Sequence, residues 1–142
     1  RSGRAGRCTL TPVAGVRLPA MTQRTELVTS PHDMTATHMP TTLTGGAGND
    51  IINSGEGSDS VTSGSGNDTI TTVSGTNTIN MAGNLTYEDT VTGGSGTDTM
   101  VTTSAINDVD FMKTTSVETL TLGSTATLAS FAVAAGITKV NV

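Results

Sequence analysis

Aspartate recurs in this chain at Asp50, Asp59 and Asp68, nine residues apart, and again at Asp89 and Asp98. Carboxylates without His or Cys beside them do not suit a thiolate or imidazole zinc site; they suit a hard cation held by oxygen. Each of the first three follows a glycine-containing run: GGAGN (45–49) before Asp50, SGEGS (54–58) before Asp59, SGSGN (63–67) before Asp68. Glycine tolerates the positive φ of a tight loop, so the carbonyls of such a run can turn toward the point that the carboxylate faces. Carboxylate and carbonyl oxygens gathered in this way favour calcium, which takes about six to eight oxygen ligands, over magnesium, which keeps its waters.

No other chemistry is set out along the chain. Cys8 is the single cysteine, which excludes an internal disulfide framework, and it has no base beside it. His32 and His38 stand isolated in a Pro/Thr-rich segment and read as solvated. Five of the seven basic residues (Arg1, Arg4, Arg7, Arg17 and Arg24) lie in the first 24 positions, whereas Thr25 to Met112 carries eleven acidic residues and no Lys or Arg. That sign excludes a nucleic-acid surface over the acidic stretch. The N-terminal arginines have no aromatic residues among them and read as a solvated arm. No apolar stretch reaches the ~18 residues of a membrane span, and no apolar segment of signal-peptide type follows the arginines. Beginning without Met, the chain reads as a piece of a longer or processed product.

The elements that position these aspartates follow from a nine-residue period. GGAGNDIIN (45–53), SGEGSDSVT (54–62), SGSGNDTIT (63–71) and TVSGTNTIN (72–80) are consecutive units, the last with Asn77 in the place of Asp. MAGNLTYEDTVT (81–92) is three residues too long and is expected to break the register, after which GGSGTDTMV (93–101) is again a full unit. Leu43 lies nine before Ile52, which marks a degenerate unit ahead of the first. Ile52, Val61, Ile70 and Ile79 each stand two residues after the Asp or Asn, in polar–apolar–polar triplets such as Thr69-Ile70-Thr71 that read as very short strands. Strand, turn, strand, turn makes a flattened coil of two units, and such coils stack as parallel strands. Asp50 and Asp68, 18 residues apart, then face one gap between successive coils. Composition agrees: of 142 residues only 34% are hydrophobic and 2% aromatic, and about a fifth are Thr, which excludes a helical bundle. Six inward side chains (Ile52, Val61, Ile70, Ile79, Val91, Met100) are too few to offset the ordering of the coil by burial alone. Bound metal is expected to make up the difference.

GGAGNDIIN and GGSGTDTMV match at every defined position the GGxGxDxUx nonapeptide of the RTX (haemolysin-type) calcium-binding β-roll, and SGEGSDSVT and SGSGNDTIT match at all but the first. The chain resembles that family over residues 43–101. The resemblance implies calcium held by the carbonyls of positions one and three and the Asp of one unit, with the carbonyls of positions two and four and the Asp of the unit two later. Carried over, the best site uses Gly45, Ala47, Asp50, Gly64, Gly66 and Asp68. The next uses Ser54, Glu56, Asp59, Val73, Gly75 and Asn77, where Val73 and Asn77 depart from the pattern. Asp89 and Asp98 are further metal candidates beyond the break in register.

The expected architecture is all-β: an irregular lead-in over 1–42, a calcium-binding parallel β-roll over 43–101, and a Thr-rich β-solenoid continuation or cap over 102–142. In the tail, Val117 to Leu122 alternates as a strand; Thr125 to Ala132 and Ile137 to Val142 read as further strands, with helix as the alternative for Leu128 to Ala135. The tail is similar to Thr-rich segments that flank calcium repeats in surface-layer and adhesin-type RTX proteins. The resemblance implies a non-enzymatic structural module of a secreted or cell-surface bacterial protein, exported by type I secretion and folding on calcium outside the cell. Alternatives are the C-terminal translocation region of a secreted RTX protease or lipase and an ice-binding solenoid. Against the latter, loop position three holds Ala47, Glu56, Ser65 and Ser95, not Thr. Calcium ions are the expected partner, with self-association through open solenoid ends.

Overall fold

Alternating triplets flanked by glycine leave the chain little choice but short strands separated by tight turns, and the computed structural model has that form. It describes residues 24–27, 33–36 and 38–142; Cys8, His32 and most of the expected lead-in lie outside the described residues. The described chain winds into a parallel β-solenoid of about five turns. One sheet contains β1 (Arg24–Leu27), β3 (Thr41–Ala47), β5 (Ser60–Ser65), β7 (Thr78–Ala82), β10 (Thr99–Thr102), β12 (Thr119–Leu122) and β13 (Lys139–Asn141), in that order. The facing sheet contains β2 (Asp33–Thr35), β4 (Ile51–Glu56), β6 (Thr69–Gly75), β8 (Thr90–Thr92) and β11 (Thr114–Thr115), with β9 (Ser95–Gly96) beside β6. Strands thus run well past the expected triplets, because the glycines that follow each apolar residue continue the pairing into the turn. Coiling also starts earlier than expected: β1 and β2 fall inside the segment read as an irregular lead-in, and pair with β3 and β4.

The interior is the column of residues two after each Asp or Asn. Leu43, Val61, Ile79, Met100 and Leu120 stack along one sheet and Ile52, Ile70 and Val91 along the other, all of them buried. All six side chains expected to point inward do so, and Leu43 fills the place of the degenerate unit. A second column, at the first position of each unit, is also inward: Ser54, Ser63, Thr72 and Thr102 are fully buried, and Met81 takes this place in the longer unit.

The twelve-residue unit does not break the register of the inward column; the pairing of β10 with β7 shifts only between Val101 and Thr102, where Thr102 meets Ala82. Val91 pairs with Ile70 and Met100 with Ile79, 21 residues apart where earlier pairs are 18 apart. The extra residues form a turn at the edge, closed by Asn84 N–H to the Met81 carbonyl at 2.9 Å and by Thr86 N–H to Asp89 Oδ2 at 2.8 Å. Leu85 tucks into the core beneath it. The insertion is absorbed in the turn, at whose end Asp89 still accepts the Asp68 N–H at 2.8 Å.

Past the repeats, Phe111 on a 3₁₀ turn (Asp108–Phe111) and Ile106 extend the core. The strand expected over Thr125–Ala132 is not formed: apart from a single bridge between Ala126 and Ile106, this segment leads into helix α1 (Ser130–Ala134). The helix is anchored by Asp108, whose Oδ1 accepts the N–H groups of Ala129 at 2.8 Å and Ala132 at 3.0 Å while Oδ2 accepts that of Phe131 at 3.1 Å. Partial desolvation pulls the Asp108 carboxyl up, but these three donors outweigh it and hold the group below its usual range. Among the described residues no helix is long and apolar enough to cross a membrane.

Two outcomes follow from this packing. Gly64 has φ of +102° and a Cβ there would stand 1.8 Å from the Gly46 carbonyl oxygen, so Gly64→Ala is expected to lower stability by ~2 kcal/mol or more in urea denaturation. Gly83→Ala, which would meet only the movable Ser104 hydroxyl, should cost far less; equal losses would refute the account. Asp108→Asn should speed amide exchange over 129–135 while leaving β5 and β7 protected, and the wild-type anchor should weaken likewise as pH falls through the lowered Asp108 value.

Candidate metal centre

Stacking in register brings the position-six residues of alternate units face to face, and from Asp59 onward one oxygen of each side chain accepts from the coil before it. Asp50 N–H donates to Asp68 Oδ1 at 2.9 Å, and Asp68 N–H to Asp89 Oδ1 at 2.8 Å, along one edge of the solenoid. Along the other, Thr41 N–H and Oγ1 donate to Asp59 Oδ1 at 2.9 and 2.8 Å, and Asp59 N–H donates to Asn77 Oδ1 at 2.9 Å. Asn77 N–H and Nδ2 then donate to Asp98 Oδ1 at 3.2 and 2.7 Å, and Asp98 N–H donates to Glu118 Oε2 at 2.8 Å. Asp50, Asp59, Asp68, Asn77, Asp89 and Asp98 are all buried.

The structure brings the residues of the first expected site together. Gly46 pairs with Gly64 and Ala47 with Ser65, so the loop that holds Gly45, Ala47 and Asp50 lies directly on the loop that holds Gly64, Gly66 and Asp68. Glycine is required for this approach: a Cβ on Gly45 would meet the Ser63 carbonyl oxygen at 2.3 Å and Asp50 Oδ2 at 2.6 Å, and one on Gly66 would meet the Gly48 carbonyl oxygen at 2.1 Å. In the second expected site, Gly75 lies under the Gly57 carbonyl in the same way, and Ser54, Glu56 and Asp59 stack on the loop that leads to Asn77. Asn77 serves there as a hydrogen-bonding rung with its amide engaged on both sides, and Val73 points to solvent. The Glu56 side chain faces His38, Oε2 to Nε2 at 3.4 Å, both exposed.

Asp89 and Asp98, set apart by the expected loss of register, in fact lie in the two ladders. They differ in what remains free. Asp89 Oδ2 accepts from Thr86 N–H and, at 3.2 Å, from Thr86 Oγ1, so both its oxygens carry hydrogen bonds. Asp98 Oδ2 and Asp59 Oδ2 are buried and have no hydrogen-bond donor. A buried carboxylate oxygen without a donor is costly, and a cation is the partner that such an oxygen suits. Among the described residues no three His, Cys, Asp or Glu side chains gather at one point, so main-chain carbonyls must complete any ligand set. The donor set, anionic and carbonyl oxygen in glycine-bared loops, fits calcium.

Two rungs were not singled out from the sequence. Thr41 and Glu118 hold the ends of the second ladder. Both stand two residues before a buried leucine, Leu43 and Leu120, which is the spacing of Asp to its apolar partner in the repeats.

Burial pushes the Asp68 carboxyl up to about 6 from an ordinary 3.8; the Asp50 N–H draws it back, and the Asp50 and Asp89 carboxylates raise it further. Asp98 is also raised, by burial first, against hydrogen bonds from Asn77 and with the charge of Glu118 adding to the rise.

A family model of the RTX calcium-binding nonapeptide repeat matches the chain in four copies, over residues 41–70 and 85–104. No curated protein and no solved structure matches it.

The raised Asp68 value sets a pH dependence of definite sign. An acid that holds its proton more tightly when folded favours the fold at low pH, so the metal-free roll should lose stability as pH rises from about 4 to about 6. Calcium needs ionised oxygens, so with calcium present the trend should reverse over the same interval. The β-signal in circular dichroism at pH 4.5 and 7, with and without calcium, checks this; parallel trends in both series would refute it.

Proposed function

We propose that this chain, which carries four copies of the RTX calcium-binding nonapeptide repeat, is a structural module that folds when calcium binds and works outside the cell. The observation that carries this reading is the pair of position-six ladders, in which buried carboxylates stack coil on coil with donorless oxygens at Asp59 and Asp98. When bound, calcium supplies positive charge where the stacked carboxylates would otherwise repel. Asp50 and Asp68, with the carbonyls of Gly45, Ala47, Gly64 and Gly66, are the residues we assign to the first site. Asp59, with the carbonyls of Ser54, Glu56 and Gly75, is assigned to the second, and Asn77 acts there through its hydrogen bonds.

The repeat architecture itself is that of a structural module, and we read the chain as non-catalytic. His38 stands exposed beside Glu56, and no nucleophile–base pair is set out in the repeats. Extracellular work is supported by the acidic, disulfide-free repeat, whose folding would await the higher calcium found outside. Circular dichroism of the full chain should show little β-signal in EGTA and a large gain with calcium, at a midpoint of about 10⁻⁴–10⁻³ M as for extracellular modules. An unchanged β-signal would remove the calcium-folding reading. A midpoint near 10⁻⁷ M would remove the extracellular one.

A further inference from the structure

The nonapeptides end at Val101, yet the arrangement of atoms at the first site recurs once beyond them. At that site the Ser63 carbonyl oxygen of the following coil and Asp50 Oδ2 both lie within 2.6 Å of where a Cβ on Gly45 would stand. At Gly93 the corresponding point has the Ser116 carbonyl oxygen at 1.8 Å and Asp98 Oδ2 at 2.8 Å. Ser116 reaches this place because Thr114 and Thr115 pair with Val91 and Thr92, and because Gly93 N–H donates to the Thr115 carbonyl at 3.0 Å. Two residues on, Glu118 takes the position-six place of the next coil, with Thr119 paired to Thr99.

Asp98 decides what this arrangement is for. Its Oδ1 is occupied from the preceding coil by the backbone N–H and side-chain amide of Asn77. Its Oδ2, fully buried and without a donor, lies beside the Ser116 carbonyl of the following coil. The geometry points to a further calcium site between the loop 93–98 and the turn 116–118, held by the Asp98 and Glu118 carboxylates and the Ser116 carbonyl. The turn has three residues between β11 and β12, where the repeat loop has six between β8 and β10. Across this shorter turn Glu118 still reaches the preceding coil, where its Oε2 accepts the Asp98 N–H at 2.8 Å. Bound there, calcium would fasten the tail, from β11 onward, to the repeats.

This inference rests on the calcium-binding reading, and its test separates the two. Glu118→Gln keeps an oxygen to accept the Asp98 N–H and removes only the charge. Calorimetric titration of the full chain with calcium should show the variant losing one bound equivalent, or binding one equivalent at least tenfold more weakly, with its calcium-loaded β-signal intact. Unchanged stoichiometry and affinity in Glu118→Gln would overturn the site while leaving the repeat sites standing. A wild-type chain that binds no calcium would overturn both. Should the variant not fold, amide exchange of the unaltered chain decides: calcium must slow exchange at 93–98 and 116–118 together, and slowing confined to 45–68 would overturn the site.

Discussion

One hydrogen bond, repeated, orders the solenoid: the N–H of a position-six residue donates to the carboxylate or amide of the equivalent residue one coil later. It sets the rise between coils, since Asp50 must meet Asp68 and Asp59 must meet Asn77 at ordinary hydrogen-bond length. It also fixes which oxygen of each carboxylate is left over. In Asp59 and Asp98 the second oxygen stays buried with nothing to accept from, so the bond that stacks the backbone also prepares a place for positive charge. Folding and metal binding are therefore two aspects of one geometry. The apolar column adds burial, but its residues are spaced by the ladder and not the reverse.

The ladder also explains why substitutions within it differ in meaning. Asn77 can replace Asp because the backbone asks only for an acceptor, and its amide nitrogen then adds a donor toward Asp98. Thr41 and Glu118 end the series, one short and uncharged, the other long and charged. Asp89 spends its second oxygen on Thr86 to close an enlarged turn. Asp, Asn and Glu thus supply the same acceptor, Thr41 closes the series as a donor only, and the supply of free anionic oxygen varies from coil to coil.

Much of this was legible in the sequence because period and phase are carried by few residue types. Ile52, Val61, Ile70 and Ile79 declare the inward column, and the aspartates two before them declare the edge. What the sequence hid was any feature that depends on where slack is taken up. Counting three surplus residues in 81–92 suggested a lost register, but periodicity cannot show that a turn closed by Asp89 absorbs them. Glu118 was hidden for a related reason: with its turn shortened and no glycine run before it, only its spacing to Leu120 marked it as a rung. The tail helix was ambiguous because Phe131 and Val133 suit a strand while the alanines around them suit a helix, until Asp108, some twenty residues earlier, supplies the anchor.

Coil perimeter and coil stacking are independent in this molecule. Paired strands lie 18 residues apart between β4 and β6, 21 between β6 and β8 and 23 between β8 and β11, yet the interior column continues without a gap from Ile70 to Val91. The turn between β7 and the rung at Asp89 is thus a place where the chain has taken up extra length without interrupting the stack. A lineage, or an engineer, could vary the outline of such a molecule along its edge and leave its axis unchanged.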